Sequence, residues 1–231
     1  MLLAETGNAT VNVSNGASPY IFFDNAPTWV QGSDENGTSG KDAKITYQTY
    51  THTLTGGAFT GAMRLVKQGD GTLVLPNVTE TYTGATDIWA GTLQFDGTLE
   101  SSPLWLNRHT SLISDGGTFK GGIQADYNAT IYPGGKDKTG SLTTTTLHLG
   151  FGSRIVFDMN SDGTADKLNA NTLVVEKKDW QYGPQYSAPV FQFVVHSSTG
   201  TLAGGNYLIG EIGSIEGSLD NLVTEGLNGI E

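Results

Sequence analysis

The chain has 231 residues, no cysteine, 15% charged residues and a formal net charge of −11. Disulfides and thiol chemistry are excluded. A nucleic-acid partner is not expected, because phosphate binding needs clustered Lys and Arg, and no apolar run is long enough for a helical membrane span.

Glycine is abundant, at 32 residues. Each glycine costs a helix interior about 1 kcal/mol, whereas tight turns between strands use its positive φ. The hydrophobic share, 37%, is small for a wide core but suits a solenoid, in which each coil contacts only its neighbours.

In chain order, Asn8–Ser14 and Tyr20–Phe23 read as short strands separated by turn residues. Residues 31–44 are polar and glycine-bearing and read as a long loop or irregular coil. From Lys44 short β-rich runs recur: Ile45–Tyr47, Thr51–Leu54, Arg64–Val66, then Gly71-Thr72-Leu73-Val74-Leu75 and, about twenty residues on, Gly91-Thr92-Leu93-Gln94-Phe95. A weaker copy follows at Gly97-Thr98-Leu99. Looser runs continue through Leu104–Leu106, Ser111–Ile113, Gly117–Phe119, Ala129–Ile131, Leu147–Leu149, Arg154–Phe157 and Asn171–Val175. Strands this short and this dense predict an all-β, single-stranded right-handed parallel β-helix; a sandwich or jelly roll is the structural alternative. Within Thr92–Phe95, alternation turns Leu93 and Phe95 inward.

Three stretches of one continuous domain follow: N-terminal coils and a polar loop over 1–44, the regular β-helix over 45–189, and C-terminal strands or an atypical cap over 190–231. A solenoid end needs such a cap, because the last coil otherwise exposes core and strand edges. The plainer alternative is that Val190–Val195 simply begins the next coil.

Leu65-Val66-Lys67-Gln68-Gly69-Asp70-Gly71-Thr72-Leu73-Val74-Leu75, followed by Tyr82-Thr83-Gly84-Ala85-Thr86-Asp87-Ile88-Trp89-Ala90-Gly91-Thr92-Leu93, resembles the autotransporter-associated β-strand repeat. That pattern runs roughly L-x-K-x-G-x-G-T-L-x-L, then Y-T-G-x-T-x-I-x-x-G-T-L. Pro76–Thr81 departs from the family's usual turn. The resemblance implies a bacterial protein that is secreted or anchored at the cell surface, with further domains on the same polypeptide. It implies a non-catalytic module, either carbohydrate-binding or scaffolding within a polysaccharide-processing protein. Its alternatives are a structural adhesin or passenger segment and, behind that, a polysaccharide lyase or hydrolase. In such families the repeat is scaffold and brings no catalytic residues with it.

The residues themselves offer two candidate sites. Asp158-Met159-Asn160-Ser161-Asp162-Gly163-Thr164-Ala165-Asp166 resembles the start of a calcium loop, with oxygens from Asp158, Asn160, Asp162, Thr164 and Asp166. The twelfth position is Asn169 where such loops carry a bidentate acid, and no helices flank it. A polar turn capped by Asp166 is the alternative. Calcium is the one cofactor the sequence raises, and none is required. The second candidate is aromatic: Trp89, Trp105, Tyr127, Trp180 and Tyr182 exceed what a slim core needs, and outward rings can stack on the sugars of a polysaccharide or cell-surface glycan. Four single histidines and scattered acids give neither zinc spacing nor an acid–base pair.

Overall fold

A computed structural model describes residues 2–3, 7–25, 28–33, 44–176, 188–196 and 206–226; for 2–3, 28–33 and 44–48 the backbone alone is described. Its strands stack almost entirely in parallel, and each coil of the chain contributes to three faces. The coil Arg64–Gln68, Thr72–Val74, Thr79–Glu80 sets the pattern. Above it lies Thr86–Ile88, Thr92–Gln94, Thr98–Leu99, and above that Leu104–Leu106, Ser111–Ile113, Gly117–Phe119. The first strands of these coils pair with one another, as do the second and the third. This is a parallel β-helix.

Alternation within each three-residue strand fills the interior. Leu73, Leu93, Leu112, Ile131 and Ile155 form one inward column on the second face, all fully buried. Phe95 is also fully buried and meets Phe119 edge-on, with ring centroids 6.0 Å apart. Outward on the same face, Thr72, Thr92, Ser111 and Thr130 stack in register, a column suited to the shape of a pleated strand. Thr86 does not join such a column. It points inward between Leu65 and Leu104, and its hydroxyl lies 2.6 Å from the Tyr82 hydroxyl and 2.8 Å from that of Ser102.

Further along, the third face of one coil runs straight into the first face of the next. Ser141–Leu149, Lys167–Val175 and Gly210–Gly217 are such continuous strands. The corner survives as a break in alternation: Leu142 and Thr144 are buried, then Leu147 and Leu149. Val190–His196 and Gly210–Gly217 continue the parallel registers, so these residues form the next coils of the stack. In this atypical last part Ile215, Leu219 and Val223 are exposed.

The region read as a loop or irregular coil is different. Thr28–Ser33 and Lys44–Thr49 pair antiparallel as a two-stranded ribbon. The strand read at Ile45–Tyr47 therefore lies outside the stack. It belongs to a long excursion between Ile21–Asn25 and Thr51–Gly56, two faces of one coil that the coils from Arg64 to Asn160 join with a short turn.

Gly91 shows what such a turn demands. Its φ is +73°, and a β-carbon there would press against the carbonyl oxygens of Gly71 and Gly69 in the coil beneath. Substituting Gly91 by alanine is expected to destabilise the protein by about 2 kcal/mol or more. Thermal unfolding should show a midpoint roughly 5 °C lower; an unchanged midpoint would mean that this turn is not held to its register.

Candidate functional site

The turns between the first and second faces stack along the solenoid and form an open groove of about 510 Å³. Trp89, Arg108, Tyr127, Phe151 and Glu176 line it, each from a successive coil. Ile88 is fully buried, so the next side chain, Trp89, turns outward and is 53% exposed. The Arg108 guanidinium lies 4.7 Å from the centroid of the Tyr127 ring, and His109 meets that ring edge-on at 5.9 Å. The cation stacked on the ring fixes its plane. Asn107 and Asp126 add polar groups, and the Asn107 amide is anchored by donating to the Ile88 carbonyl at 3.0 Å.

Trp105 stands apart from this groove. It lies on the outward row of the first face, in register with Asp87 and Gln124, and is 43% exposed. It lines a smaller depression of about 190 Å³ with Gln124, His148 and Val174. The two patches adjoin through the His148 Nε2–Glu176 carboxylate pair, 3.2 Å apart. Three of the five predicted aromatics thus share one flank. Trp180 and Tyr182 lie outside the described residues. Arg108 and Glu176 carry no sequence signal of their own, because their proximity depends on how coils of unequal length stack.

The predicted calcium ligands occupy a tight excursion at the end of Arg154–Asn160. Met159 and Ala165 bridge antiparallel across it. The Asp162 carboxylate accepts from the Thr164 amide at 2.9 Å and from its hydroxyl at 2.7 Å, and these bonds hold its pKa below the usual carboxylate range. Asn160 donates to the Thr164 hydroxyl at 2.9 Å. Asp166 turns back into the solenoid and accepts from the amides of Gly140, at 2.7 Å, and Asp158, at 2.9 Å. Burial raises its pKa to about 6 despite those bonds. The Asp158 carboxylate points elsewhere, to His196 Nε2 at 2.7 Å. The polar turn with Asp166 as its cap accounts for the contacts within the excursion.

Titratable groups also lie inside the solenoid. Asp24, His52 and Lys67 are fully buried. Asp24 Oδ1 is 2.6 Å from His52 Nδ1, and Asp24 Oδ2 is 3.7 Å from Lys67 Nζ. Lys67 also donates to the carbonyls of Gln68 and Gly69, both at 2.7 Å, and of Ala90 at 3.4 Å. Desolvation lowers its pKa to about 8, against the opposing pull of Asp24 and Asp70. On the third face of the same coil as Lys67, Glu80 accepts from the Phe59 amide at 2.6 Å through Oε2. Its Oε1 has no hydrogen-bond partner among the described residues. Burial raises its pKa to about 7.

Fold and groove together define a β-solenoid scaffold with an open groove along its outer flank. Within it, residues 65–95 match the passenger-associated-transport-repeat family, the same segment that carries the sequence resemblance. No curated protein and no solved structure shows significant similarity to the chain. The matched segment supplies Leu65, Leu73, Ile88 and Leu93 to the core. It also accounts for its own lysine: Lys67 closes the turn carbonyls that the following glycines expose. Among the described residues, no helix is long and apolar enough to cross a membrane.

Proposed function

We propose that this chain is a non-catalytic, glycan-binding segment of a larger bacterial polypeptide that is exported to the cell surface or secreted. The observation that carries the reading is the meeting of Trp89 and Tyr127 in one groove with Arg108, Asp126 and Asn107. Sugar recognition uses this combination: flat rings stack on the apolar face of a pyranose, and fixed polar groups take its hydroxyls. Parallel coils repeat about every 4.8 Å, close to the length of one hexose unit. A glycan lying along the axis would therefore meet a fresh turn at each residue. The passenger-type repeat at residues 65–95 supports export and a scaffolding role.

Binding is expected on a glycan array and by calorimetry at millimolar ligand or better. Trp89→Ala and Tyr127→Ala should each weaken it by about 1–3 kcal/mol with unchanged far-UV circular dichroism. If no glycan binds at millimolar concentration, the purely structural passenger role stands instead. Turnover of any polysaccharide by the purified chain would overturn the non-catalytic part of the proposal.

A further inference from the structure

Asp137, Asp158 and His196 come together on the outside of the second face. One ligand-capable atom from each lies within 4.8 Å of the others. They come from three successive coils. Asp137 follows Thr130–Tyr132, Asp158 is in Arg154–Asn160, and His196 ends Val190–His196; the three strands are parallel neighbours. Asp158 and His196 lie two positions apart along that register, as Asp158 pairs with Val194 and Asn160 with His196.

The carboxylate of Asp158 singles out this cluster. Asp158 is only 2% exposed. Its Oδ1 faces His196 Nε2 at 2.7 Å, while Oδ2 has no hydrogen-bond partner among the described residues. An ionised carboxylate with an unmet buried oxygen is costly. Among the described residues, two cations near this cluster are committed elsewhere. The Arg154 guanidinium is committed to Gln192 at 2.9 Å and to Glu225 at 2.6 Å. Lys138 is held by Asp115 at 2.8 Å.

We infer that Asp137, Asp158 and His196 form a binding site for a single divalent cation of the zinc type, which ties three successive coils together. Two carboxylate oxygens and one imidazole nitrogen, with no thiolate, form a donor set such ions accept, with water completing the coordination. Metal–ligand bonds of about 2.0–2.2 Å need ligand atoms a little over 3 Å apart. The trio is compact enough for this once the Asp158–His196 contact opens by about half an ångström. The cation would take the place of the missing partner at Asp158 Oδ2. It would also pin the coil of Val190–His196, beyond which Leu208, Ile215, Leu219 and Val223 are exposed.

The test is calorimetric titration of chelator-treated full chain with ZnCl2, alongside thermal unfolding with ZnCl2, CaCl2 or MgCl2. One equivalent of zinc should bind, the unfolding midpoint should rise by several degrees, and magnesium should do neither. Asp137 is exposed, so Asp137→Asn should fold normally while weakening zinc binding by more than about tenfold. His196→Gln should do the same, and Asp162→Asn, in the adjacent turn, should leave zinc binding unchanged. The inference is overturned if no saturable zinc binding occurs at sub-millimolar metal, or if Asp137→Asn and His196→Gln bind as the parent does. Calcium binding abolished by Asp162→Asn, without zinc binding, would place the ion in the Asp158–Asp166 turn and also overturn it.

Discussion

Replacing Lys67 by methionine is expected to destabilise the protein by about 3–5 kcal/mol, although methionine has nearly the same length and every atom of the site is sealed from water. The reason is what is left behind. Asp24 and His52 remain buried with one charge of their network gone, and breaking a buried ion pair from one side leaves an uncompensated charge. The carbonyls of Gln68 and Gly69 also lose their donor, at about 1 kcal/mol each. These two contributions separate experimentally. The triple variant Asp24→Leu, His52→Leu, Lys67→Met removes all the buried charge, so urea unfolding should recover most of the lost stability. A remaining deficit of about 2 kcal/mol would measure the unpaired carbonyls. If Lys67→Met alone unfolds at the parent's urea midpoint, the network contributes nothing to holding these coils.

The second large effect is a pH dependence centred on Glu80. This side chain sits in the inward row of the third face, in register with Leu99 and then Phe119. Its pKa rises from 4.5 to about 7, first because burial penalises the charged form, with the Phe59 amide opposing. A carboxyl whose pKa is raised by folding contributes stability that is fully present below pH 4.5. That stability is lost as pH climbs through about 7. The loss is on the order of 3 kcal/mol. Glu80→Gln cannot ionise, so it should match the parent near pH 4 and exceed it by about that amount at pH 8. Asp166 acts with the same sign over a lower window, from 3.8 to about 6, and should persist in the Glu80→Gln profile. Lys67 acts at the alkaline end. Its folded pKa of about 8 lies below the ordinary 10.5, so its contribution is present above 10.5 and lost as pH falls through 8. Urea midpoints at pH 4, 6 and 8 decide the matter for Glu80. A parent–variant difference that does not grow with pH would mean that Glu80 is hydrated rather than buried.

Much of the scaffold is legible residue by residue. Leu73, Leu75, Ile88, Leu93 and Phe95 read as inward from two-residue alternation, and all are buried. Trp89 reads as outward by the same rule, and it is exposed. Gly91 reads as a position where a β-carbon would clash, and the Gly71 and Gly69 carbonyls are what it would meet. Each of these is a local consequence of strand geometry, so a few consecutive residues suffice to find it. Thr86 follows the same rule, inward with Ile88, but its hydroxyl partners are Tyr82 and Ser102, one a few residues away and the other in the next coil. A threonine read from its neighbours alone cannot reveal a partner one coil up.

The candidate sites depend on stacking, which short windows of sequence do not encode, and the ribbon of Thr28–Ser33 and Lys44–Thr49 depends on an antiparallel pairing outside the stack. Coil length varies along the chain: Thr86 faces Leu104, but Leu147 faces Leu173 and Leu173 faces Ile215. Only the stacked structure brings Arg108 onto the Tyr127 ring, Glu176 beside His148, and His196 against Asp158. By itself, then, the sequence determined the coil register over residues 65–95 and which side chains fill the interior there, because alternation and glycine turns are local. The tertiary structure decided which turns share a groove, which charges are sealed inside, and which oxygen is left without a partner. Those outcomes follow from the number of residues each coil spends in its loops, a quantity with no period to read.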